Sequence, residues 1–167
     1  DKAILTLSAT EVQRTFAEDT TFNLTPYLSR TLGDSDGRTG PDADGSETYS
    51  YEVSGLPVGS MVNFGAGDVR VATVGQVITY DAGNNSTLPA ISFKPPANFS
   101  GDLPTVTVTL VTRDTDIDYD GEIEPGRSSV ELQLYVNPVA GDVTWPAQVV
   151  TPEDTAVNFL AGVALSD

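Results

Sequence analysis

The acidic side chains of this 167-residue chain are concentrated in two short stretches. Eleven of its 24 Asp and Glu residues belong to them: Asp34, Asp36, Asp42, Asp44 and Glu47 in the first, and Asp114, Asp116, Asp118, Asp120, Glu122 and Glu124 in the second. Acids at alternate positions of a loop can turn their oxygens toward one centre, and neighbouring glycines permit the tight backbone that this requires. Crowded carboxylates repel one another unless a cation neutralises them. The pattern therefore predicts bound Ca²⁺.

The second stretch partly matches a known calcium loop. Asp116-x-Asp118-x-Asp120-Gly121 fits the first six positions of an EF-hand loop. The fit then ends, because Arg127 stands where the bidentate Glu should be and Pro125 interrupts the loop. We therefore predict a calcium loop of another kind. A solvated acidic loop without an ion is the alternative, but two such loops in one chain favour calcium.

The residue types that the chain lacks exclude several functions. Without His or Cys it has no thiol or imidazole metal site, no disulfide and no Ser-His or Cys-His catalysis. A net charge of −16 opposes binding to nucleic acid or to anionic membranes, and no apolar stretch predicts membrane insertion. Catalysis by an acid pair remains, but Glu52 and Glu131 fall at solvent-facing strand positions. We therefore expect no enzyme.

Apolar and polar residues alternate with a period of two in several short segments, and no segment shows a helical period. The elements that position the acids are therefore predicted to be short β-strands. In the clearest case, Val106, Val108 and Leu110 share one face. The predicted strands, separated by turns rich in Gly, Pro and Asn, are 3–7, 21–25, 48–54, 60–64, 69–73, 76–80, 90–93, 105–112 and 129–136. This spacing predicts an all-β fold, an antiparallel immunoglobulin-like β-sandwich of seven to eight strands.

One motif occurs twice. Residues 18–20 and 153–155 both read Glu-Asp-Thr, which we call the EDT box, and an Asn follows each box at the same distance. The repetition predicts that residues 1–17 lead in from a preceding repeat, that 18–138 form one complete repeat, and that 139–167 form a linker and the start of the next.

The strand count predicts where the acidic stretches lie. With seven strands, the first stretch lies at the end of the sandwich from which the chain leaves, and the second lies at the opposite end. In a tandem array these ends face each other, so Ca²⁺ held by Asp34, Asp36, Asp142 and the next repeat's acids would join neighbouring repeats. If residues 69–80 contain two strands, both stretches share one end instead.

The order of several motifs resembles the cadherin-like repeats of large bacterial surface adhesins, including the RTX-type biofilm adhesins of Gram-negative bacteria. The motifs are the EDT box, DADGSET before YEVSGLPVG, PPANFSG before a Val/Thr strand, and VNPVAGD at the end of the repeat. The resemblance covers residues 18–142 and the restart after them. The chain departs from the family in its length, in its GRTGP and DYDGEIEPG insertions, and in lacking the glycine-aspartate nonapeptide.

The resemblance implies an immunoglobulin-like sandwich that is exported to the bacterial cell surface, binds calcium near repeat junctions and acts in adhesion. The ligands that it implies are Asp34, Asp36, Asp44, Glu47, Asp114, Asp116 and Asp142. Its implied partners are adjacent repeats of the same chain, together with host or biofilm glycans or peptides bound through other domains. We expect a structural extender. A sugar- or peptide-binding module is the alternative, supported by the long acidic loops and by Tyr49 and Tyr119 as stacking surfaces.

Overall fold

A computed structural model of the chain describes residues 3–7, 14–31, 47–85, 87–114, 125–144, 153 and 164–166, with the backbone alone at 114, 142–144 and 164–166. These residues form β-strands and one short 3-10 helix, and no α-helix is found among them. The predicted all-β class is confirmed.

The strands are short and follow one another along the chain. They are β1 (Ile4–Leu7), β2 (Thr15–Ala17), β3 (Phe22–Asn23), β4 (Leu28–Thr31), β5 (Glu47–Ser54), β6 (Met61–Asn63), β7 (Asp68–Arg70), β8 (Ile78–Gly83), β9 (Ser92–Lys94), β10 (Gly101–Asp102), β11 (Val106–Asp114), β12 (Gly126–Leu132), β13 (Tyr135–Asn137), β14 (Asp142–Thr144) and β15 (Ala164–Ser166). The 3-10 helix, Thr25–Tyr27, lies between β3 and β4. The described strands outnumber the predicted ones mainly because β2, β4, β10, β14 and β15 were not predicted. In addition, the predicted strand 129–136 is divided at residues 133–134.

Two four-stranded antiparallel sheets form the main layers. The front sheet has the order β12-β11-β5-β8, and the back sheet has the order β3-β9-β6-β7. Their buried apolar side chains belong to one core cluster, in which Tyr51 and Leu110 of the front sheet and Phe93 of the back sheet are almost fully buried. Since burial of apolar surface is the main driving force for folding, this shared core holds the layers together.

The first and last strands complete the sandwich at one side. β1 pairs with β4 in antiparallel fashion, and β2 then pairs in parallel with β13, which also pairs with β10. Leu5 on β1 and Phe16 on β2 are buried in the core. The sandwich therefore extends N-terminally of residue 18 and includes strands that the sequence assigned to the lead-in from a preceding repeat.

The C-terminal strands β14 and β15 form an antiparallel pair of their own. An EDT box separates them in the sequence, as the first EDT box separates β1 from β4. The second box is thus accompanied by the same kind of strand pairing as the first.

The central strand β11 is buried on both faces. The predicted inward face is confirmed, because Val106, Val108 and Leu110 are fully buried. On the outer face, Val111 is buried as well. An ion pair between Arg127 of β12 and Glu52 of β5 spans β11 there, so the two side chains cover that face.

Candidate metal site at one end of the sandwich

Both acidic stretches are attached to the same end of the sandwich. The first connects Thr31, where β4 ends, to Glu47, where β5 begins, and the second follows Asp114, where β11 ends. In the antiparallel register Asp114 lies directly opposite Glu47. We call this end, which is marked by Thr31, Glu47, Asp114 and Gly126, the acidic end.

The N-terminal strand also begins at the acidic end, because Ile4 pairs with Thr31. The chain leaves from the other end, which we call the exit end. β11 pairs with β12, and β10 pairs with β13, so these four strands form one long hairpin. The hairpin runs from the acidic end to the pair Gly101 and Val136. The backbone bond from Leu103 N–H to Leu134 O (2.9 Å) continues this hairpin across the interruption.

The predicted placement of the two stretches at opposite ends is therefore wrong. Residues 68–83 contain two strands, β7 in the back sheet and β8 in the front sheet. Each additional strand reverses the direction of the chain, so one more strand between the stretches returns the second stretch to the end where the first one lies.

Three of the predicted calcium ligands belong to the described residues, and the others do not. Asp34, Asp36, Asp42, Asp44, Asp116, Asp118 and Asp120 lie outside the described residues. For Asp114 and Asp142 only the backbone is described, at the end of β11 and the start of β14. Within the described part of the chain, no group of three or more acids forms a metal site. Glu47 is the predicted ligand whose side chain is described.

The side chain of Glu47 is turned into the protein. It is 3% exposed and lies on the inward face of β5 together with Tyr49, Tyr51 and Val53. The alternation of buried and half-buried positions along β5 places these four side chains on one face. A carboxylate at this depth has to be compensated by hydrogen bonds or by a cation.

A buried hydroxyl lies on the same face of the front sheet, one inward-facing pair away from Glu47. Thr112 is 2% exposed and pairs with Tyr49, so it lies on the inward face of β11. Among the described residues its Oγ1 has no hydrogen-bond partner. Carboxylate and hydroxyl oxygens are hard ligands, which suit Ca²⁺ or Mg²⁺ rather than a transition metal. The donor chemistry on this face of the acidic end therefore fits the predicted cation.

Arg30 brings a positive charge beneath the acidic end, a feature that the sequence analysis missed. Its Nη1 donates a hydrogen bond to Tyr51 Oη (2.7 Å), and its guanidinium carbon lies 4.7 Å from the centre of the Tyr49 ring. Burial raises the pKa of the Tyr51 phenol, while the charge and the hydrogen bond of Arg30 lower it. Tyr49 is 2% exposed and so belongs to the core instead of offering a stacking surface.

The outer face of the front sheet carries a polar depression of about 300 Å³. Its lining includes the hydroxyls of Thr48, Ser50 and Thr79 and the charged side chains of Asp81 and Arg113. Asp81 Oδ1 accepts the N–H of Gly83 (2.8 Å) beside a β-bulge in the pairing of β5 with β8. Mixed hydroxyl and charged groups of this kind can bind polar ligands.

Of the two candidate catalytic acids, Glu52 is paired with Arg127 and Glu131 is exposed on β12. No helix in the described part of the chain is long and apolar enough to cross a membrane. No protein-family model matches the chain, and no curated protein is significantly similar to it. Function must therefore be inferred from the residues of the sandwich themselves.

Proposed function

We propose that this chain is an extender repeat of a bacterial cell-surface adhesin and that Ca²⁺ bound at the acidic end stiffens it. One observation carries the proposal: both acidic stretches are anchored at one end of the sandwich, with Glu47 opposite Asp114. Eleven carboxylates belong to these stretches. So many like charges tethered to one end destabilise the fold unless cations neutralise them.

In this proposal the chain supplies oxygen ligands and the ion supplies positive charge. Glu47 and Thr112 would bind Ca²⁺ from the inward face, together with carboxylates of the two acidic stretches. A shared ion would connect the link between β4 and β5 with the link between β11 and β12. The end at which the chain's first strand begins would then lose conformational freedom.

The role as an extender rests on repetition. The second EDT box and the pairing of β14 with β15 match the first box and the pairing of β1 with β4. The immunoglobulin-like assignment is supported by the N-terminal strands, because β1 pairs with β4 and β2 then pairs in parallel with β13, the last strand of the sandwich. In an array, the acidic end of one repeat would face the exit end of the preceding repeat, so the ions would lie at the junction.

A melting experiment tests the calcium proposal. Extracellular calcium modules bind with Kd values of roughly 0.1–1 mM, so ~10 mM Ca²⁺ should stabilise the fold by about 1.4–2.7 kcal/mol per site. We expect Tm to rise by about 5–10 °C per site relative to EDTA. NaCl at the same ionic strength controls for charge screening. Equal Tm values in Ca²⁺ and EDTA would contradict the proposal.

Ligand binding is the second candidate function, and the polar depression on the front sheet favours it. Arg113 and Asp81 could orient a sugar or a peptide there while the neighbouring hydroxyls donate and accept hydrogen bonds. A glycan and peptide array separates the two functions, because an extender binds nothing on it. A ligand whose binding is lost in Arg113→Ala, but kept in Arg127→Ala, would support the second candidate.

A further inference from the structure

The first EDT box lies at the exit end and binds the backbone that leaves the sandwich. Glu18 directly follows β2, which runs parallel to β13, so it comes to lie beside the residues after β13. The Glu18 N–H donates to the Asn137 carbonyl oxygen (2.9 Å). Glu18 Oε1 accepts the N–H of Val139 (2.7 Å). One residue thus binds the chain on both sides of Pro138.

Pro138 explains why a side chain is needed at this point. Proline has no N–H and cannot continue the strand pairing, so Val139 is the first residue after β13 that can donate a hydrogen bond. Val139 is 54% exposed, so burial contributes little to its position. Among the described residues, the Glu18 carboxylate is the group that fixes it.

The other two residues of the box hold the turn that presents Glu18. Asp19 adopts a left-handed backbone conformation (φ 59°), which Asp tolerates better than most residues. Its Oδ1 accepts the N–H of Asn98 (3.3 Å). The Thr20 hydroxyl donates to the Ala17 carbonyl oxygen (2.6 Å). All three side chains of the box therefore make contacts that shape this turn.

We propose that the EDT box is a linker clamp: Glu18 binds Val139 and so sets the direction in which the chain leaves the sandwich. The clamp acts at the exit end, whereas the proposed ions act at the acidic end. It uses a protein carboxylate and requires no metal. The function inferred for the acidic end can therefore fail without affecting the clamp.

The second EDT box extends the inference. Glu153 is exposed and stands between β14 and β15, as Glu18 stands between β1 and β4. By the same reasoning, the second box would clamp the corresponding segment of its own repeat. A box that recurs once per repeat would give every junction of an array the same geometry.

Amide hydrogen exchange of the full 167-residue chain tests the contact. In Glu18→Ala, exchange at the Val139 amide should accelerate by about tenfold, because the acceptor is lost. Glu18→Gln keeps an acceptor oxygen and should stay close to the parent chain. Glu131→Ala removes an exposed glutamate elsewhere and should change nothing. The Val108 amide in β11 reports whether the fold is intact. Unchanged exchange at Val139 in Glu18→Ala, with Val108 protected, would overturn the clamp.

Spin-label distances test the effect on direction. The chain has no cysteine, so labels at Thr79→Cys on the front sheet and Glu153→Cys in the C-terminal segment form a unique pair. The distribution of label-to-label distances should be broader in the Glu18→Ala variant than in the parent chain or in Glu18→Gln. This difference should appear both in Ca²⁺ and in EDTA. Equal widths for Glu18 and Glu18→Ala would overturn the clamp. If Ca²⁺ does not raise Tm, the proposed function fails while this test of the clamp stands.

Discussion

Glu47 and Asp114 are direct cross-strand neighbours at the end of the two central strands of the front sheet. Opposed residues of antiparallel strands have Cα atoms about 4.5–5.5 Å apart, and like charges at such positions are destabilising. Glu47 is the last acid of the first acidic stretch, and Asp114 is the first acid of the second. The two stretches are therefore joined to the front sheet at adjacent positions.

Because both stretches are attached to one end, substitutions that neutralise them should shift Tm in opposite directions in metal-free and in calcium-bound protein. Neutralising either stretch, with Asp34→Asn/Asp36→Asn or with Asp116→Asn/Asp118→Asn, should raise Tm in EDTA because repulsion falls. The same changes should lower Tm in Ca²⁺ because ligands are lost. Glu131→Gln, an exposed substitution on β12, should have neither effect.

A double-mutant cycle shows whether the two stretches share ions. Unfolding free energies in Ca²⁺ for both pairs and for their combination should give an interaction energy of about 0.5–3 kcal/mol. Effects that add to within about 0.5 kcal/mol would mean that the stretches act independently.

Two glycines with positive φ angles should respond very differently to alanine. At Gly55 (φ +82°), an added Cβ would overlap the carbonyl oxygen of Thr105, which belongs to the backbone just before β11. At Gly75 (φ +72°), the Cβ would meet nothing within 4 Å. We expect Gly75→Ala to cost about 1–2 kcal/mol through backbone strain alone. Gly55→Ala should cost more than about 3 kcal/mol. Urea unfolding measures both, and similar costs would contradict the close approach at Gly55.

Two arginines test the difference between buried and surface charge. Arg30→Met removes a hydrogen bond to buried Tyr51 and a cation–π contact with Tyr49, at a cost of about 2–3 kcal/mol. Arg127→Met breaks an ion pair whose arginine side chain is 52% exposed, so the cost should be at most about 1 kcal/mol. Denaturant midpoints decide the order, and an equal or larger loss at Arg127 would refute it.

Alkaline titration reports on Tyr51. Burial raises its pKa above the ordinary 10.0 in the folded protein, and Arg30 offsets part of this rise. The unfolded chain therefore loses this proton first. The contribution of the protonated Tyr51 phenol to the unfolding free energy is fully present below pH 10. It is lost as the pH rises through the folded-state pKa. Tyr51→Phe should flatten the fall of unfolding free energy above pH 10, measured by urea unfolding across that range. An equally steep fall in Tyr51→Phe would count against a raised pKa.

The sequence predicted the longer strands well and the shorter ones poorly. Val106, Val108 and Leu110 alternate with threonines, and the segment is the strand β11 with those three residues inward. β4 and β10 went unpredicted, because Leu28–Thr31 and Gly101–Asp102 carry no alternation of apolar and polar residues. Their partners β1 and β13 are distant in the sequence, so pairing rather than local propensity specifies them.

For the proposed site, the sequence predicted which residue types would bind the ion, and it placed the two acidic stretches at opposite ends where the structure attaches both to one end. The sequence identified two acidic stretches and the oxygen-ligand chemistry that they imply. It did not indicate that Glu47 would be buried or that Arg30 would contact Tyr49 and Tyr51, because those contacts join strands that are separated along the chain. It also missed the clamp at Val139, which depends on the parallel pairing of β2 with β13.

The amino-acid sequence by itself determined the β-class and the hard-ligand character of the chain, because residue types and their period of two act locally. The tertiary structure decided that the two acidic stretches are attached to one end of the sandwich and that Glu18 of the EDT box accepts the Val139 N–H. Both outcomes depend on how many times the chain reverses between distant segments and on which strands then pair. A single additional strand, which barely changes the local pattern, moves a loop from one end of the sandwich to the other.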